Sequence, residues 1–213
     1  LTSDPQTVVT INLRSDNTTE GTVNPAFVVF ASDNWSEPVE VTVTGVDDDR
    51  LDGDTIFRIV TDPAETIAQD SPYNGLDAVD VSVVNKDNDE PGITVSPTSG
   101  LITTEDGQTA TFTIVLDNDP GSSVGIDLRS DNIQEGQVSP QLVLFDSNNW
   151  SVPQEVTVTG IDDLLADGDV QYQIVTRPAL ADPGTPYNDL DAEDVSVTNL
   201  DNEVSIDVEP TSI

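Results

Sequence analysis

Carboxylates are the abundant reactive side chains of this sequence, and they recur in clusters. The pattern DDxxxDGD sets Asp47, Asp48, Asp52 and Asp54 close together and returns as Asp162, Asp163, Asp167 and Asp169. A second pattern, SDNxxEG, carries Asp16 with Glu20 and then Asp131 with Glu135. A third runs Asp87, Asn88, Asp89 and later Asp201, Asn202, Glu203, while Glu105 and Asp106 form TTEDG once. Carboxylate and amide oxygens are ligands for hard cations, and Ca²⁺ takes six to eight of them in forgiving geometry. Other chemistry is excluded by composition. The chain has no His and no Cys, which removes the usual general base, the thiol nucleophile and ordinary zinc or haem ligation. Its six Lys plus Arg face 41 Asp plus Glu, for a net charge of −35. Phosphate binding and docking to anionic lipid both need clustered cations, so neither nucleic acid nor membrane insertion is expected.

These acids must be positioned by a repeat. LRSDNTTEGTVNP at 13–25 returns as LRSDNIQEGQVSP at 128–140, and VTVTGVDDDRLDGD at 41–54 returns as VTVTGIDDLLADGD at 156–169. PYNGLDAVDVSVVNKDN at 72–88 returns as PYNDLDAEDVSVTNLDN at 186–202. The spacing of about 115 residues is one domain long, close to the ~100 residues of a β-sandwich. Val, Ile, Phe and Thr alternate, as in ATFTIVL at 110–116, and no segment sustains a helical period. The expected fold is all-β, as tandem seven-stranded antiparallel immunoglobulin-like β-sandwiches. Residues 1–90 read as a repeat lacking its first strands, 91–203 as a complete repeat, and 204–213 as the opening strand of a third.

In a seven-strand sandwich lettered A to G, the A–B, C–D and E–F loops share one end with the exit of strand G. TTEDG, SDNxxEG, DDxxxDGD and the LDN terminus fall at those four places. Clustered carboxylates repel one another, and a divalent cation converts that cost into binding. Asp-rich turns on a solvated acidic surface are the plainer reading of any single cluster. Four clusters at one pole favour Ca²⁺.

The acidic A–B loop, the Asp162-Asp163 pair after a Val-rich strand and the Asp201-Asn202-Glu203 terminus resemble the Calx-β domain family. The resemblance covers the complete repeat and most of the first. It implies a sandwich binding Ca²⁺ at this pole, with Glu105, Asp131, Asp162, Asp163, Asp201 and Asn202 as ligands in the second unit. In the first unit it implies Asp16, Asp47, Asp48, Asp87, Asn88 and Asp89. The remaining acids of the E–F loops, Asp52, Asp54, Asp167 and Asp169, complete the candidate metal set.

Outside the acids, Trp35 and Trp150 occupy equivalent NWS positions, as end plugs of a sandwich or as stacking platforms for sugar. Tyr73 and Tyr187 are expected at the same pole as the tryptophans. Arg14 and Arg129 lie beside the C–D acids and are expected to pair with them. No catalytic signature is present, and no enzyme is expected. The reading is a calcium-binding structural repeat of an extracellular or cell-surface stalk, adhesin or fibre, with Ca²⁺ stiffening domain junctions. Its partners would be neighbouring repeats of the same chain, other copies in a fibre, or surface glycans. The alternative is a carbohydrate-binding module of a secreted adhesin or enzyme.

Overall fold

The computed structural model describes residues 1–204, so the expected third-repeat strand lies outside the described residues. Two compact units emerge. One comprises Leu1–Asp48 with Asp52–Asn88, and the other Asp49–Leu51 with the chain from Asp89 onward. Among the described residues every regular element is a strand.

The first unit contains β1 (Val9–Ser15), β2 (Gly21–Asn24), β3 (Phe27–Phe30), β4 (Thr42–Gly45), β5 (Thr55–Thr61), β6 (Glu65–Thr66) and β7 (Val81–Asn85). One sheet runs β3-β1-β5-β7, with β6 also on β1, and the other is the pair β2-β4. The second unit contains β8 (Ile93–Ser96), β9 (Leu101–Thr104), β10 (Thr109–Leu116), β11 (Val124–Ser130), β12 (Gly136–Ser139), β13 (Leu142–Phe145), β14 (Gln154–Gly160), β15 (Val170–Thr176) and β16 (Val195–Leu200). Its sheets run β12-β14-β10-β8 and β13-β11-β15-β16-β9.

Period-2 alternation builds the core. Along β10, Phe112, Ile114 and Leu116 are all buried, and they join Val156 and Val158 of the neighbouring strand β14 in one apolar cluster. Each such side chain contributes about 1.5–3 kcal/mol of burial. The expected seven strands become nine in the second unit because strands A and D are each divided. Pro97 and Pro140 lack the N–H a continuous ladder needs, so β8 passes to β9 and β12 to β13 in the opposite sheet. The pairing is also not wholly antiparallel, since β9 runs parallel to β16.

Equivalent tyrosines close one end of each unit. Tyr187 is fully buried, its hydroxyl donating to the Asn118 carbonyl at 2.9 Å and accepting from the Asn118 amide at 3.2 Å. Tyr73 does the same with Ser3. Trp150 is half-buried against the core, as an end plug would be. The tyrosines therefore offer no open face for sugar stacking.

Burial pushes the hydroxyls of Tyr172 and Tyr187 above the usual phenol range. Groups whose folded pKa is raised stabilise fully below the unfolded value, near 10, and lose that contribution as pH rises through the folded value. Urea unfolding followed from neutral to strongly alkaline pH should therefore show stability falling above about pH 10. Tyr187→Phe should cost about 1 kcal/mol at neutral pH, through the lost hydrogen bonds, and flatten the alkaline decline. An unchanged alkaline slope in this variant would contradict the assignment.

Candidate metal centre

The acidic pole of the second unit is assembled by backbone locks. Gly168, at φ 81°, turns the loop after β14 in a conformation that favours glycine. Its amide donates to Asp201 Oδ2 at 2.6 Å, and the Asp201 amide donates to Asp169 Oδ1 at 3.2 Å. Asp201 Oδ1 also accepts from the Glu203 amide at 2.7 Å. These backbone donors, that of Glu203 foremost, hold the Asp201 carboxyl below its usual range. The same lock recurs in the first unit, where the Gly53 amide reaches Asp87 Oδ2 at 2.7 Å and the Asp87 amide reaches Asp54 Oδ1 at 3.2 Å. The DGD motif and its distant aspartate thus tie the E–F loop to the end of strand G.

With that tie in place, two groups of three carboxylates converge. Glu105, Asp162 and Glu203 each present an oxygen within 4.8 Å of the others. Glu135, Asp163 and Asp167 do likewise. Glu105 is buried, and its Oε2 accepts from the Asn202 amide at 3.1 Å. Glu135 is buried too, with Asn199 Nδ2 donating to its Oε2 at 3.3 Å. Asn199 also donates to the Ile161 carbonyl at 3.1 Å and accepts from Thr103 Oγ1 at 3.0 Å. This asparagine couples the loops after β11 and β14 to β9. Gly160 is needed above it, because a Cβ there would lie 2.5 Å from Asn199 Oδ1.

The electrostatic cost is visible at Glu203. Its carboxyl is pushed up to about 7, first by its hydrogen bond with Glu105 and then by burial. Its Oε2 is buried with no hydrogen-bond partner. An orphaned acidic oxygen within an all-oxygen donor set fits a hard cation such as Ca²⁺.

The sequence-derived candidates divide by position. Glu105, Asp162, Asp163 and Asp167 belong to the two converging groups. Asp169 and Asp201 serve the backbone lock, and Asn202 enters through its amide. Asp131 pins β11 to β15 by accepting from the Gln173 amide at 2.8 Å, as Asp16 does from the Arg58 amide. Glu135 and Glu203, not placed among the expected ligands, join the groups instead. The sequence signal for Glu135 was its position before Gly136, repeated at Glu20-Gly21, where Glu20 is also buried and bonded to Asn85.

In the first unit, no group of three acids meets the same distance criterion among the described residues. Lys86 stands at the end of β7 where the repeat has Leu200, and it pairs with Asp54. That hydrogen bond is the main cause lowering the Asp54 carboxyl. Among the described residues, Asp47, Asp48, Asp52 and Asp89 belong to neither converging group. Arg14 and Arg129 pair with Asp62 and Asp127, each at 3.4 Å, rather than with the C–D acids as expected. The carboxylates of Asp16 and Asp131 are already engaged by backbone amides. Asp80 and Asp194 cap Thr61 and Thr176 at the ends of β5 and β15.

No protein-family model and no curated protein matches the chain. Among solved structures, it is similar to the calcium binding domain CBD12 of CALX1.1, at 12% identity and TM-score 0.41, covering 86% of this chain and 73% of that one. CBD12 from CALX1.2 is similar at 15% identity and TM-score 0.39, over 87% and 73%. S-layer protein SbsC domains 4 and 5 align at 18% identity and TM-score 0.33, over 89% and 69%.

The crowding around Glu203 makes a two-sided expectation. At about pH 8, where Glu203 is largely ionised, Glu203→Gln should raise the melting temperature in chelator, because it removes one like charge. The same variant should show a smaller melting-temperature gain on adding Ca²⁺ than the parent. A lower apo melting temperature with an undiminished calcium response would refute this placement of charge.

Proposed function

We propose that the second unit is a Calx-β-like, calcium-dependent structural module, one repeat of a surface or secreted stalk, adhesin or fibre. The observation that carries the reading is the meeting of Glu105, Asp162 and Glu203 beside Glu135, Asp163 and Asp167, with the Glu203 Oε2 buried and unpartnered. Bound Ca²⁺ would supply the positive charge, and these carboxylates would hold it through their oxygens. The residues themselves order three loops around it: Glu105 follows β9, Glu135 precedes β12, and Asp162, Asp163 and Asp167 follow β14. Ion binding then links segments far apart in sequence, as a tether suited to a load-bearing repeat. In this reading the module does no catalysis, and its partners are other repeats of its own chain.

Only a few residues separate Asp89 from Ile93, at most about 3.3 Å each when extended. A spacer so short and acidic suits a junction whose flexibility depends on charge neutralisation. We therefore assign Ca²⁺ a stiffening role along the array.

The direct test is thermal. A ligand that binds only the native state stabilises it by RT ln(1 + [L]/Kd), about 2.7 kcal/mol at a hundredfold excess over Kd. Melting in millimolar Ca²⁺ should exceed melting in EDTA by several degrees, and molar NaCl in chelator should not substitute. Equal curves would remove the calcium reading. Asp162→Ala with Asp163→Ala should lower the bound calcium, counted by native mass spectrometry, by at least one ion. An unchanged count would reject this ligand set. For stiffening, small-angle scattering should give a narrower distance distribution with Ca²⁺ than in chelator, and identical profiles would confine the ion to a role within one unit.

A further inference from the structure

Three residues of the loop between β4 and β5, Asp49–Leu51, are built into the second unit. Leu51 packs against its main apolar cluster. The Asp119 amide donates to the Asp49 carbonyl at 2.8 Å, and Arg50 Nε lies 3.7 Å from Asp119 Oδ2. The corner after β10 is thus the acceptor of this tripeptide, and it is firmly made. Tyr187 holds Asn118 through both backbone groups, and the Gly121 amide donates to Asp119 Oδ1 at 2.9 Å. The first unit builds the same corner, with Tyr73 on Ser3 and the Gln6 amide on Asp4 Oδ1 at 2.9 Å. The acceptor corner therefore belongs to the repeat rather than to one copy of it.

The donor position is repeated as well. In the loop between β14 and β15, Leu164, Leu165 and Ala166 stand where Asp49, Arg50 and Leu51 stand in the first repeat. Leu164 is 91% exposed and Leu165 62% exposed, with Asp162, Asp163 and Asp167 on either side in the chain. The Leu165 amide donates to Asp163 Oδ1 at 2.7 Å, which fixes the turn that holds both leucines out. Adjacent leucines presented in this way carry a hydration cost that a partner surface would recover. SIDVEPTSI at 205–213 repeats GITVSPTSG of 92–100 in sequence, so the segment next in line is another copy of the repeat.

We infer that Leu164–Ala166 is a docking peg for the corner after the second strand of the following repeat, as Asp49–Leu51 is for the corner after β10. The inference rests on the array proposed above and not on its calcium. The middle residue of the peg sets the chemistry of the acceptor. Arg50 brings a guanidinium to Asp119, whose side chain is only 12% exposed. Leu165 brings no charge, and a carboxylate covered by leucine without a cation is costly. The acceptor for Leu164–Ala166 therefore carries an uncharged, apolar residue where the second unit has Asp119.

The chain has no Cys, so Leu165→Cys supplies a single thiol whose alkylation by iodoacetamide reports exposure. It is placed in the original chain and in an extended one, where a copy of residues 92–204 carrying Asp119→Leu replaces 205–213. Labelling should be at least about tenfold slower in the extended chain, because the docked peg must open before it reacts. Adding Leu164→Asp to the extended chain should restore the fast rate, and a copy that keeps Asp119 should protect less. Equal rates in the original and extended chains, slow labelling that survives Leu164→Asp, or equal protection by both copies would each overturn the inference. Labelling decides the peg, while melting in Ca²⁺ against chelator decides the calcium proposal, so either can fail alone.

Discussion

Repulsion among carboxylates is the constraint on which the second unit is organised. Water would ordinarily keep six such groups apart, yet the backbone brings their oxygens within 4.8 Å in two sets of three. Glu105 and Glu135 are moreover buried, which removes solvent screening where it is most needed. The tension concentrates on Glu203, whose carboxyl is displaced to about 7. A divalent cation reverses the sign of this interaction.

What keeps the acids together is largely a set of neutral donors. The Gly168 amide, the Asn202 amide and the Asn199 side chain each hold one carboxylate oxygen in place. The sandwich supplies these donors because its strand ends bring loops that are far apart in sequence to one pole. The first unit shows the alternative solution. There Lys86 places an ammonium against Asp54, and a fixed side-chain cation offsets part of the charge. The repeats therefore share a lock, and the first sets a lysine against it where the second has Leu200.

Much of this was legible in the sequence, for identifiable reasons. Alternation in ATFTIVL sets which residues of β10 point inward, because the side-chain period of a strand is two. Loop order in a sandwich places Glu105 and the Asp162-Asp163 pair at one pole. Roles within each loop were not legible. Asp131 and Glu135 stand four residues apart in one loop, yet Asp131 spends its oxygen on the Gln173 amide while Glu135 joins the cluster. That choice depends on a backbone donor from β15, a partner about forty residues away. The divisions of strands A and D were also missed, since short runs such as LITT and GQVS carry too little alternation to declare a strand.

Anomalous diffraction from crystals of the chain grown with Ca²⁺ tests the central claim most directly. The account predicts anomalous peaks within coordination distance of Glu105, Asp162 and Glu203, or of Glu135, Asp163 and Asp167, with the Glu203 Oε2 turned to the ion. Crystals grown with Ca²⁺ that show no peak at either group, with Glu203 still hydrogen-bonded to Glu105, would contradict it.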